Sequence, residues 1–198
     1  MSKAKDILKN NRPLILIFSG LLVFSGLYYF FNRETPAQVP PAPASLETYA
    51  DKTHGFSFAY PKGFILAKGG GSLSDTLVSV ALPDSSYKGT NLIGASFNVG
   101  LGPSLLGQCL DLQAGEQAAG EKEIGGTAFR VFYRTGVALG NIYEAISYRT
   151  ARRGTCFEIV LMLHSGNILK YGSGTVQFNK PLVLDQLDRI LASFKFEK

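Results

Sequence analysis

The sequence predicts an exported domain built on an antiparallel β-sheet with packed helices, set behind a single N-terminal transmembrane helix. Three observations carry this. From Leu46 onward the pattern is mostly period two, in short runs that alternate apolar and polar residues as strands burying one face do. Residues 181–193, PLVLDQLDRILAS, switch to helical spacing. Residues 14–31, LILIFSGLLVFSGLYYFF, are eighteen positions without a charge.

A helix over 14–31 rises ~1.5 Å per residue to about 27 Å, close to a hydrocarbon core of about 30 Å. Lys3, Lys5, Lys9 and Arg12 precede it against Asp6, whereas Arg33 and Glu34 cancel after it. The excess of basic residues before the span predicts a cytoplasmic N-terminus, and Tyr28 and Tyr29 suit the interfacial belt at the outer end. The apolar run exceeds the roughly 7 to 15 residues of a cleavable signal and no small-x-small site follows closely, so the segment is expected to stay as an anchor. A lipoprotein is excluded, because the first cysteine is Cys109. Residues 35–45, TPAQVPPAPAS, contain four prolines and no charge, an extended semi-rigid spacer. The expected organisation is a basic cytoplasmic tail over 1–12, a transmembrane helix over 13–32, a proline-rich linker over 33–45 and an exported domain over 46–198. The lipid bilayer is then the first partner, and the domain lies on the periplasmic or outer side of the cytoplasmic membrane.

Charge agrees with this division. Residues 1–44 hold five basic and two acidic side chains, leaving fifteen and thirteen for 45–198. The domain therefore lacks the concentrated basic excess of a nucleic-acid binder.

Within the domain the strand runs are GFSFAY (55–60), GFILA (63–67), TLVSVAL (76–82), LIGASFNVG (92–100), TAFRVFYR (127–134), IYEAISYR (142–149), TCFEIVLML (155–163) and the short SFKF at the end. YPKG, KGGGS, LPDSS, IGG and RRG punctuate them. TCFEIVLML is apolar enough throughout for a central strand. Residues 181–193 open on a proline and place Leu184, Leu187, Leu191 and Phe194 on one helical face, for packing on the sheet. A second helix is predicted over 103–117, PSLLGQCLDLQAGEQ, although Gly107 and Gly115 interrupt it.

The opening YADKTHGFSFAYPKGF, a tyrosine leading into a hairpin that ends in Tyr-Pro and an aromatic, and the closing LDQLDRILASFKF together resemble the PsbP-like family of exported domains. The middle, with CLDLQAG and GTCFEIVLMLHS, resembles uncharacterised bacterial envelope proteins with such a domain. The resemblance implies an α+β fold, an antiparallel sheet flanked by helices, over roughly Tyr49 to Lys195. It implies no photosystem docking residue or chlorophyll ligand at any position here.

Cys156 and His164 share one apolar run and raise the question of a thiol active site. On one strand they would stand about 26 Å apart, and on a helix about 12 Å, whereas a nucleophile and its base must meet at about 2.6 to 3.2 Å. His164 is expected to reach solvent or a carbonyl at a strand end. His54, the other histidine, has no sequence-defined place beside Cys156. Cys109 and Cys156, both in the exported domain, fit a structural disulfide; two buried free thiols or a reactive thiol are the alternatives.

No C-x-x-C or H-x-x-x-H spacing supports a metal site, and no phosphate loop, dinucleotide fingerprint or G-x-S-x-G elbow calls for a cofactor or a hydrolase. Of the carboxylate pairs, Glu121 with Glu123 reads as a solvated turn and Asp185 with Asp188 as a helix face, while Glu144 and Glu158 meet only if their strands do. Glu158 shares a face with Cys156 and Val160 and should find Arg149 or Arg134 across the sheet; unpaired, it would be the leading site candidate. Aromatics interleaved with arginines in AFRVFYR and NIYEAISYRT read as core rings alternating with exposed cations, and nucleic acid is not an expected partner.

Two function classes remain. The first is a non-catalytic, membrane-anchored envelope domain that binds or scaffolds a protein partner, and the missing catalytic set favours it. The second is a small-ligand-binding or enzymatic domain with its site near Glu158, Tyr143 and Tyr148. A deep polar pocket converging on those three residues would favour the second, and a paired Glu158 without a concavity would count against it.

Overall fold

The computed structural model describes residues 45–69, 75–103 and 105–197. The basic tail, the predicted transmembrane helix, most of the proline-rich linker and most of the KGGGS turn lie outside the described residues. Among the described residues no helix is long and apolar enough to cross a membrane.

Ten strands and one α-helix are formed by the described residues: β1 (Leu46–Asp51), β2 (Phe56–Pro61), β3 (Ile65–Lys68), β4 (Thr76–Ala81), β5 (Leu92–Leu101), β6 (Glu116–Ile124), β7 (Thr127–Ala138), β8 (Asn141–Arg152), β9 (Thr155–Gly166), α1 (Lys180–Ser193) and β10 (Lys195–Phe196). Seven strands make one antiparallel sheet in the order β3-β4-β5-β9-β8-β7-β6, and β1, β2 and β10 make a second of three. The expected antiparallel sheet is present, with β9 at its centre, and one helix packs on it.

β6 to β9 form a meander because their connections are two-residue turns at Gly125–Gly126, Leu139–Gly140 and Arg153–Gly154. Each turn has positive φ at both positions, which matches the twist of the flanking strands. Alternation then sorts the side chains. Phe157, Ile159, Leu161 and Leu163 of β9 point inward with Val78 and Val80, Phe97 and Val99, and Phe129 and Val131. Against that face pack Phe56 and Phe58 of β2 and Val183, Leu187, Ile190 and Leu191 of α1. Burying such side chains contributes about 1.5–3 kcal/mol each. The helix begins one residue before its predicted start, where the Asn179 side chain accepts a hydrogen bond from the Leu182 N–H at 3.1 Å.

Two expectations are corrected. The described residues of 103–117 form no α-helix; they contain one 3-10 turn, Leu106–Gln108, in a loop we call the strap, and then enter β6. Glu121 and Glu123 are therefore exposed on an edge strand rather than in a turn. β1 and β6 escape the period-two search because they pair at sheet edges and bury little of either face.

Candidate functional site

The sheet face turned away from α1 carries Cys156, Glu158 and Val160 of β9 beside Ser147 and Arg149 of β8. β9 is one continuous strand, so Cys156 and His164 sit near its opposite ends. Cys156 is instead bonded to Cys109 of the strap, with the two Cα atoms 5.5 Å apart, and no free cysteine remains. The thiol site is thereby excluded. The cystine also explains one glycine: a Cβ on Gly102 would lie 2.5 Å from the Cys156 sulfur, so only glycine lets the chain turn off β5 there.

Arg149 is the hub of this face. Its side chain is 1% exposed. Nε donates to Glu158 Oε1 at 3.1 Å, Nη1 donates to the Asp111 carbonyl at 2.8 Å, and Nη2 donates to Glu116 Oε1. The guanidinium also lies 4.1 Å from the centre of the Phe132 ring. One side chain thus joins β6, β8, β9 and the strap. Arg130 adds a bond from Nη1 to the Leu110 carbonyl at 2.9 Å, and Gly102 N–H donates to the Cys156 carbonyl at 3.0 Å. The expectation that these interleaved arginines are solvent-facing holds for Arg130 and Arg134 and fails for Arg149.

Glu158 finds the predicted partner in Arg149. Burial nevertheless holds its carboxyl above the usual glutamate range, opposed by Arg149 and by the Ser147 hydroxyl and helped by nearby Glu116. Two carboxylates share one guanidinium, so the buried group keeps one surplus negative charge that a proton can remove. A cavity of about 270 Å³ opens beside it, lined by Glu116, Arg134, Arg149 and Glu158 among others.

Tyr143 and Tyr148 do not join this group. Tyr143 is on the same face but six residues along β8, roughly 20 Å from Arg149, and its ring stacks on His164 with centroids 4.4 Å apart. His164 Nε2 is buried with no hydrogen-bond partner, contrary to the expected reach to solvent or a carbonyl, and burial lowers the imidazole pKa. Tyr148 belongs to the opposite face, in the core under α1; burial, then the charge of Asp188, pushes its phenol up to about 12. It stays protonated at neutral pH.

Asp75 also lines the cavity beside Glu158, whereas Glu144, Asp185 and Asp188 are paired elsewhere. Glu144 lies on the helix side with Tyr133 and Lys180, apart from Glu158. Asp185 pairs with Arg189 at 2.8 Å and Asp188 with Lys122 at 3.2 Å. His54 meets Asp51 in the turn between β1 and β2, at 3.1 Å. Among the described residues no group of three or more histidine, cysteine or acidic side chains is placed to hold a metal ion.

What sequence reasoning missed is the strap. Leu105, Leu106, Leu110 and Leu112 are all exposed on it, at 62%, 45%, 39% and 58%. The two cysteines were the available signal, since a bridge from Cys109 to Cys156 lays this segment across the sheet.

No family model matches the chain, and no curated protein matches it. Among solved structures it is similar to cyanobacterial PsbP (CyanoP) from Synechocystis sp. PCC 6803, with 17% identity and a TM-score of 0.46, covering 82% of this chain and 98% of that one. It is also similar to LpqN of Mycobacterium tuberculosis, described as involved in cell envelope biogenesis, with 11% identity and a TM-score of 0.42 over 80% of this chain and 87% of that one. A protein of Bacteroides thetaiotaomicron matches with 13% identity and a TM-score of 0.43, over 79% of this chain and half of its own length. A PsbP protein thus stands among the structural neighbours of a chain whose two ends resemble that family.

Proposed function

We propose that the chain is a membrane-anchored extracytoplasmic domain that binds a protein partner in the cell envelope through the strap between β5 and β6, without catalysis. The observation that carries this reading is four solvent-exposed leucines on a loop fixed by a cystine and by a buried arginine. Four exposed leucines within eight residues of one loop are more apolar surface than singly scattered side chains, and apolar surface of this kind supports a partner site. Fixing the loop in advance lowers the ordering entropy that association must overcome. The cystine supports an oxidising compartment, and the charge-free run over 14–31 supports the anchor.

The small-ligand reading keeps one observation, the cavity of about 270 Å³ beside Glu158. Its charged walls are largely committed to one another, and neither Tyr143 nor Tyr148 lines it. We therefore favour the strap.

The test places a photo-crosslinking residue at Leu105 or Leu112 in the full chain in its native membrane. The expected result is one discrete protein adduct that disappears when Cys109→Ser and Cys156→Ser release the strap. Adducts with lipid alone, or none from either position, would overturn the proposal.

A further inference from the structure

A second cavity opens on the sheet face opposite the strap, where Thr155 and Phe157 flank Cys156. The turn between β1 and β2 and the turn between β8 and β9 come together around a cavity of about 480 Å³ whose walls include Lys52, His54, Arg152 and Arg153. That volume is in the range of small-ligand pockets, roughly 300–1,000 Å³. Among the described residues Lys52, Arg152 and Arg153 make no ion pair with any acid. One carboxylate, Glu197, also lines the cavity and accepts the Ser57 hydroxyl at 2.5 Å, while Asp51 beside it holds His54 and the turn N–H groups of Thr53 and His54. Three cations against the one carboxylate of Glu197 leave the concavity net positive, which focuses a positive field into it.

Arg152 is also held in place. Its Nη2 donates to the Glu197 carbonyl at 3.1 Å and its guanidinium lies 4.5 Å from the centre of the Phe196 ring. That leaves further guanidinium N–H groups for a ligand, in the planar fork that matches phosphate oxygens. Phe157 gives the cavity an apolar wall, which suits the organic part of an ester.

From this juxtaposition we propose that the cleft between the Lys52–Gly55 turn and the Arg152–Arg153 turn binds a phosphate ester. The phosphate is either part of an anionic lipid headgroup or borne by a soluble metabolite, and Lys52, Arg152 and Arg153 hold it. The site is independent of the strap and of whether the strap binds a protein.

Arg153 supplies a clean test. It adopts φ +49 in its turn, a conformation glycine takes without cost, so Arg153→Gly removes the guanidinium while suiting the backbone better than arginine does. The full chain, reconstituted in phosphatidylcholine nanodiscs, is titrated with glycerol 3-phosphate while the arginine side-chain N–H resonances are followed by NMR; a parallel sample replaces part of the lipid with phosphatidylglycerol. Saturable shifts of Arg152 and Arg153 with glycerol 3-phosphate identify a soluble ester, and shifts that require phosphatidylglycerol identify a headgroup. In either case Arg153→Gly is expected to weaken binding about tenfold or more, and Lys52→Gln severalfold. Lys62→Gln, which removes the same charge outside the cleft, should leave binding unchanged. Shifts in neither sample, or binding equally insensitive to Arg153→Gly and Lys62→Gln, would overturn the site.

Discussion

Arg149 shows how one buried charge can fix a surface. It has a carboxylate on either side and a strap carbonyl in front, so removing it leaves Glu116 and Glu158 facing each other at 6% and 12% exposure. Breaking a buried pair from one side costs about 3–5 kcal/mol, and Arg149→Met is expected to lower stability by that amount at neutral pH in urea unfolding. Glu158 makes a prediction of opposite character. Its folded pKa lies above its unfolded value, so between the two the native state holds the extra proton. Stability should therefore fall as pH rises through that window, from about 4.3 upward, and Glu158→Gln should remove this slope when urea midpoints are compared across pH. Glu144 has the reverse sign. Burial raises its pKa, but hydrogen bonds from Lys180 and Tyr133 outweigh that and hold it low, so its contribution is present above the unfolded value and is lost as pH falls below it. The Arg149–Glu158 contact was legible, because both residues stand in strands with clear alternation. Glu116 was not, since its strand gave no pattern.

The same contrast orders the elements. β4 and α1 bury one face or stripe and so carry a clean period, whereas β9, buried on both faces, reads as a continuous apolar run. β6 reads EQAAGEKEI because an edge strand with a solvated face is selected for charge, which also discourages pairing with a second chain. The strap failed for another reason: its leucines have helical spacing but no surface beneath them, and the cystine fixes their path. The turns were only partly legible. IGG and RRG announce two of the hairpins, whereas Leu139–Gly140 has leucine at φ +49, a position where branched apolar side chains are disfavoured. Leu139 is 98% exposed, so it gains no packing in return. Leu139→Asn should stabilise the fold by about 1 kcal/mol, read as a rise of about 2–4 °C in Tm by calorimetry. An unchanged or lower Tm would show that leucine carries no left-handed penalty in this turn.

At the scale of the whole molecule, the cystine and the sidedness of the membrane are one question. A bridge closing 47 residues restricts the unfolded chain by about 4 kcal/mol in the loop-entropy account, a contribution available only where thiols are oxidised. In the proposed topology, which rests on Lys3, Lys5, Lys9 and Arg12 before the apolar run, the domain lies on that oxidising side. Two measurements must then agree. Intact mass after denaturing alkylation should show both cysteines blocked until reduction. In intact cells stripped of any outer barrier, a membrane-impermeant maleimide should label Leu169→Cys, which replaces a side chain 88% exposed, and should fail to label Lys3→Cys until the membrane is opened. Label on Lys3→Cys alone would invert the topology. It would leave the domain in a reducing compartment, where the strap could not depend on its bridge and the binding surface proposed for it would lose its fixed shape.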